Sequence, residues 1–178
     1  MKKILIMASL LASASLMAQG TLMLANLGGG ANAPVFDTDG VTKVAKNAYK
    51  ALVYVAADEN AAKTSTTPVA AAVTFNAAGY FVGPTVTLTG FGPGSKPWVK
   101  VEVFDANYND YNTALNALAK IGTATFQLGS GLGGGEPPLP APGLVGMPKV
   151  VVAPVVPEPS VLALVGLGVA AFLLRRRN

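Results

Sequence analysis

Apolar and polar positions alternate in short bursts along the middle of this chain. The clearest burst is Trp98 to Phe104, where Val99, Val101 and Val103 alternate with Trp98, Lys100, Glu102 and Phe104. Successive side chains on a strand point to opposite faces, so the pattern predicts a strand with its valines toward a core. Thr85-Val86-Thr87-Leu88 alternates in the same way, inside a Tyr80–Leu88 segment that reads as one strand or as two broken at Gly83-Pro84. Lys50 to Ala57 and Val69 to Phe75 are rich in branched and apolar residues, free of breakers, and read as strands. Thr21–Leu27 and Thr123–Leu128 read as the first and last strands, with a further edge strand at Val150 to Val152. Tyr111 to Lys120 breaks the pattern. Leu115 and Leu118 lie three apart, Asp110 is an N-cap residue and Gly122 a stop, which predicts a short helix.

Between these bursts lie turn-forming stretches. Gly28-Gly29-Gly30 reads as a flexible break, Asn32–Gly40 and Gly90–Pro97 as loops, Asp58–Pro68 as a polar loop and Asn76–Gly79 as a turn. Several short strands with turn signals about every 8 to 12 residues predict a mainly β fold. The expected form is an antiparallel, sandwich-like single domain with one short helix, spanning residues 19–128. Residues 129–156 are rich in Gly and Pro and read as a linker.

The two ends follow other rules. Lys2 and Lys3 precede an apolar run from Ile4 to Leu11 and then small residues, the order of a secretory signal peptide. Cleavage after Ala18 gives residues 1–18 as the signal helix; Ala12-Ser13-Ala14 offers an earlier site at the cost of a very short apolar region. At the other end, Pro157-Glu158-Pro159 precedes an uncharged run from Val161 to Leu174 and then Arg175, Arg176 and Arg177. As a helix that run would span about 21 Å, short of the roughly 30 Å hydrocarbon core. Arginines after it favour the cytoplasmic side, which puts the body outside. Such a marginal span suits a temporary halt in the membrane. A single-pass anchor with local thinning or tilt is the alternative.

Residues 157–178 resemble the PEP-CTERM sorting signal. That resemblance implies processing by an exosortase at or near Pro157, Glu158 and Pro159, with the Arg175–Arg177 cluster setting topology, after export through the Sec machinery and transient residence in the inner membrane. Its destination is the cell surface or an extracellular, exopolysaccharide-containing matrix. Pieces of the body are also similar to a recurrent set of small PEP-CTERM proteins: Ala18-Gln19-Gly20-Thr21, Asn32 to Asp37, Tyr49 to Tyr54, Ala78 to Phe81 and Val99 to Asp105. This second resemblance implies location and architecture, and no biochemical activity.

Charge and composition narrow the remaining choices. The formal charge of +4 comes from 13 Lys and Arg against 9 Asp and Glu. Setting aside Lys2, Lys3, Arg175–Arg177 and Glu158 leaves eight lysines and eight acids, a neutral body. A neutral body gives no basic patch for nucleic acid or for membrane attraction. There is no cysteine and no histidine, so the usual nucleophiles, general bases and zinc ligands are missing and no cofactor is implied. Glu102 and Asp105 are near in sequence but belong to opposite strand faces, a poor carboxylate pair. A non-enzymatic, structural or adhesive protein is therefore expected. The alternative is a carbohydrate- or calcium-binding module. The mid-chain aromatics Tyr80, Phe81, Phe91, Trp98, Tyr108 and Tyr111 would stack on sugars if exposed on one face, although core or edge packing is the expected reading. Asp105, Asn107 and Asn109 offer oxygens at alternate positions, and Asp37 and Asp39 form a second acidic pair. An EF-hand loop wants Gly and Glu where Asp110 and Asn116 stand. A loop closed by its own Asx turns is the expected reading.

Overall fold

The computed structural model describes residues 19–156. Seven of its strands form one antiparallel sheet in the order β1-β7-β6-β5-β8-β9-β11. They are β1 (Gly20–Ala25), β5 (Tyr49–Ala56), β6 (Val73–Ala77), β7 (Tyr80–Leu88), β8 (Trp98–Asp105), β9 (Lys120–Gln127) and β11 (Ala153–Pro154). Two short pairs lie outside it. β2 (Leu27–Gly28) pairs with β3 (Ala31–Asn32), and β10 (Val150–Val151) pairs in parallel with β4 (Val35–Phe36). The fold is thus mainly β around a large antiparallel sheet, and loops rather than a second large sheet complete the core.

The alternation at Trp98–Phe104 becomes the central strand β8, paired along its length with β5 and β9. Val99, Val101 and Val103 are fully buried, in one cluster with Leu22, Leu24, Val53, Phe75, Phe81 and Phe126. The opposite face is covered as well. Phe104 is fully buried and Lys100 nearly so, beneath two short helices that pack on β8. The first, α1 (Glu59–Thr64), forms where a polar loop is expected; the Asp58 side chain accepts from the Ala61 N–H and caps it, and Ala62 is its buried contact. The second, α2 (Tyr111–Asn116), starts at Asp110 as expected. It stops before Lys120 because Leu118 turns left-handed (φ 56°). The Leu118 and Ala119 N–H groups then donate to the Leu115 and Ala114 carbonyls, a Schellman closure built without glycine.

Two further expectations change, and one open between two forms is settled. The strand expected at Val69–Phe75 begins at Val73 instead. Tyr80–Leu88 is a single strand, and the β1–β7 register slips by one residue opposite Gly83-Pro84, where an irregularity accepts the proline. Gly29 and Gly30 form the two-residue turn of the β2–β3 hairpin, both at positive φ, a conformation that favours glycine.

The Gly- and Pro-rich stretch after β9, read as a linker, is packed into the body. Leu132, Leu144, Val150 and Val152 are essentially inaccessible and belong to the core cluster. The same stretch bonds along the outer edge of β1. Thr21 and Gly133 exchange backbone hydrogen bonds, the Met23 N–H donates to the Pro142 carbonyl, and the Leu144 N–H donates to the Ala25 carbonyl. Near the end of β9 the Gly129 N–H donates to the Val145 carbonyl, and β11 pairs with its start. Segment 129–154 therefore bridges the two edge strands, which would otherwise expose unpaired backbone. Composition concealed this because glycine and proline mark both loose chain and close backbone contact.

Candidate functional site

Three places hold the polar chemistry of the body. The first is a cleft of about 180 Å³ between α1, α2 and the sheet, with Tyr54, Lys100 and Glu102 at its floor and Ser65 and Asn112 on its walls. The alternation on β5 and β8 puts these three side chains on one sheet face, with Tyr54 directly opposite Lys100. The Lys100 ammonium meets Glu102 Oε1 at 2.8 Å, donates to the Ser65 carbonyl at 2.7 Å and lies 4.1 Å from the centre of the Tyr54 ring. It also reaches the Lys63 carbonyl at 3.4 Å. The Tyr54 hydroxyl donates to Glu102 Oε2 at 2.7 Å. Burial pushes the Tyr54 phenol well above its ordinary range, and the hydrogen bond to Glu102 and that carboxylate's charge push it further. The ammonium thus spends its donors on the carboxylate and on carbonyls at the end of α1, where positive charge complements the helix dipole. This arrangement fastens a helix to a sheet and leaves Lys100 no free donor for a substrate.

The second place is the end of the sheet where β5 and β9 begin and β8 ends. Tyr49 stands opposite Asp105, and Phe104 opposite Ile121, the neighbour of Lys120. The loop after β4 brings Asp37 to the same end, 2.6 Å from the Lys120 ammonium. The fold therefore gathers the two acidic loops singled out in the sequence. Each is already occupied. Lys120, aided by the Thr38 N–H and hydroxyl, holds the Asp37 carboxyl down at about 2. The Thr42 hydroxyl and the N–H groups of Val41 and Thr42 hold Asp39 below the usual carboxylate range. Asp105 Oδ1 accepts from the Asn107 N–H, an Asx turn, and the Tyr108 carbonyl takes the Lys50 ammonium at 3.0 Å. Asn109 leads into Asp110, which caps α2 through the Thr113 N–H. Among the described residues, no group of three or more acidic side chains is arranged to hold a metal ion.

The aromatics named as a sugar platform separate. Phe81 is buried, Tyr80 donates to Asn32 and lies under Lys43, and Trp98 is half-buried at the start of β8.

The third place is the C-terminal end of the described residues. Ala153 and Pro154 pair with Ile121 and Lys120, and the Val155 N–H donates to the Ala119 carbonyl at 3.3 Å. Val156 follows, exposed, and Pro157 comes next. Residues 155–177 match the family model of the PEP-CTERM protein-sorting motif.

The tail is a PEP-CTERM sorting signal.

The match contains Pro157, Glu158, Pro159 and Arg175–Arg177, all outside the described residues, as are the signal segment 1–18 and the Val161–Leu174 run. A PEP-CTERM motif supports exosortase-dependent sorting to the cell surface, with export and passage through the membrane on the way. Among the described residues no helix is long and apolar enough to cross a membrane. Comparison with curated proteins and with solved structures gives no match for this chain.

Proposed function

We propose that this chain is an exported, non-enzymatic protein of the cell surface or extracellular matrix, structural or adhesive in an exopolysaccharide or biofilm setting. The observation that carries the reading is the PEP-CTERM motif beginning at Val155, the last of the described residues with a backbone hydrogen bond to the folded body. In this reading the Sec machinery exports the chain behind residues 1–18. The short apolar run halts in the inner membrane with Arg175–Arg177 on the cytoplasmic side. An exosortase then processes the chain at or near Pro157-Glu158-Pro159, and the body leaves for the surface.

The body's chemistry is consistent with a scaffold. Its buried lysine is spent on a helix terminus, and its acidic loops are closed by their own backbone and by lysines. Its neutral charge suits life among polysaccharides rather than on nucleic acid. Intact mass of the protein recovered from membranes and from medium of a host that makes it tests the reading. The expected mature form ends near Pro157. A chain running to Asn178 as the sole form, confined to the membrane fraction, overturns it.

A further inference from the structure

The described residues hold seven exposed large apolar side chains, and four of them lie on segments that meet near Val155, where the sorting motif begins. They are Val41 (78% exposed), Leu118 (48%), Val151 (36%) and Val156 (78%). Their grouping follows from the contacts between the segments that carry them. Leu118 precedes Ala119, whose carbonyl holds Val155, and Val155 precedes Val156. A side chain at Gly40, beside Val41, would lie 3.9 Å from Val151. Asp37, at the start of that loop, pairs with Lys120, which stands opposite Pro154. Single exposed apolar residues are ordinary on a protein surface, whereas apolar side chains gathered on neighbouring segments offer an interaction surface.

The geometry of the tail supplies one. Val155 is bonded to the body and the apolar run starts at Val161. Six residues reach about 20 Å when fully extended, and Pro157 and Pro159 leave little slack. The headgroup layer is about 5–8 Å deep on each side of the hydrocarbon. A run seated in the bilayer therefore holds this end of the body at the lipid surface at high effective concentration. We infer that the face around Val41, Leu118, Val151 and Val156 docks on the outer surface of the membrane while the tail is inserted, so that the body is presented to the processing enzyme in one orientation. The inference rests on the sorting reading above and adds an oriented body–lipid contact to it. The ionic surroundings tolerate a lipid surface. The Lys149 ammonium lies 3.6 Å from where a side chain at Gly40 would start and 4.8 Å from the Phe36 ring centre, Asp37 is paired with Lys120, and Asp39 is turned into its own loop.

The chain has no cysteine, so single cysteines can report position without background. The full chain is inserted into vesicles of phosphatidylethanolamine and phosphatidylglycerol, carrying an environment-sensitive fluorophore at one site per sample. The sites are Val41→Cys and Leu118→Cys on the proposed face, Lys96→Cys at the opposite end of β8, and Val165→Cys in the apolar run. The expected result is blue-shifted emission, quenched by quencher-bearing lipid, at positions 165, 41 and 118, with water-like emission at 96. A buried label at 165 with water-like labels at 41 and 118 overturns the docking and leaves the sorting reading intact. A water-like label at 165 overturns both.

Discussion

Asn26 is the one fully buried neutral polar side chain among the described residues, and its bonds explain why. Its amide donates to the Ala33 carbonyl at 2.8 Å and to the Gly79 carbonyl at 3.0 Å, while its side-chain oxygen accepts from the Phe81 N–H at 2.8 Å. One residue thus satisfies three backbone groups where β1, the turn before β7 and the entry to β4 converge. Replacing it with leucine strands all three, and each buried unsatisfied group costs about 1–3 kcal/mol. Asn26→Leu is therefore expected to destabilise the body by about 3 kcal/mol or more in denaturant unfolding, although leucine is the more apolar side chain. A variant as stable as the parent would mean that water replaces the amide. Nothing in the sequence marked Asn26, because two of its partners lie 53 and 55 residues away. Asp110 was legible for the opposite reason: its partner, Thr113, is three residues on and the cap is a local rule.

At the scale of elements, legibility follows the range of the forces. β5, β7, β8 and β9 are long, carry a period-2 pattern and fall within a few residues of where alternation puts them. Helix α1 escaped notice because Glu59–Thr64 has no apolar stripe; an aspartate cap and a lysine from β8 hold it in place. The cost of burying that lysine depends on its carboxylate partner. The side chains of Lys100 and Glu102 are only 9% and 12% exposed, so removing one leaves the other charged and unpaired in a poorly solvated place. Glu102→Ala is expected to cost about 3–5 kcal/mol, since it also strips the Tyr54 hydroxyl of its acceptor. The double variant Lys100→Met, Glu102→Leu, which removes both charges and keeps the volume, should recover much of that loss. Urea unfolding of Lys100→Met, of Glu102→Leu and of the double variant forms the cycle. Additive losses would show that the pair is solvated in solution and contributes little.

For the whole molecule the decisive segment is the one that composition assigned to a linker. A linker from 129 to 156 would tie body to tail flexibly and leave the β1 edge open. The packed segment does the reverse: it covers that edge, fills the core with Leu132, Leu144 and Val152, and sets the start of the sorting motif beside β9. Gly143 shows how closely the backbones approach. A Cβ there would collide with the Gly28 carbonyl oxygen and lie 3.0 Å from that of Ala25. Neither oxygen can swing away as a side chain would, and the adjoining hydrogen bonds from Gly143 to Gly29 and from Leu144 to Ala25 would have to lengthen. Overpacking of this kind costs about 1–3 kcal/mol. Gly90 is the matched control. It has a positive φ of 86° but nothing within 4 Å of its Cβ position, so alanine there meets only the backbone penalty of about 1–2 kcal/mol. Gly143→Ala should therefore expose the 129–147 stretch to limited proteolysis under conditions where Gly90→Ala leaves it protected, whatever the two do to global stability. Equal protection in both variants would mean that the segment sits loosely on β1. The position of Val155 beside Ala119 would then lose its support, because β11 and Val155 are reached only through that segment.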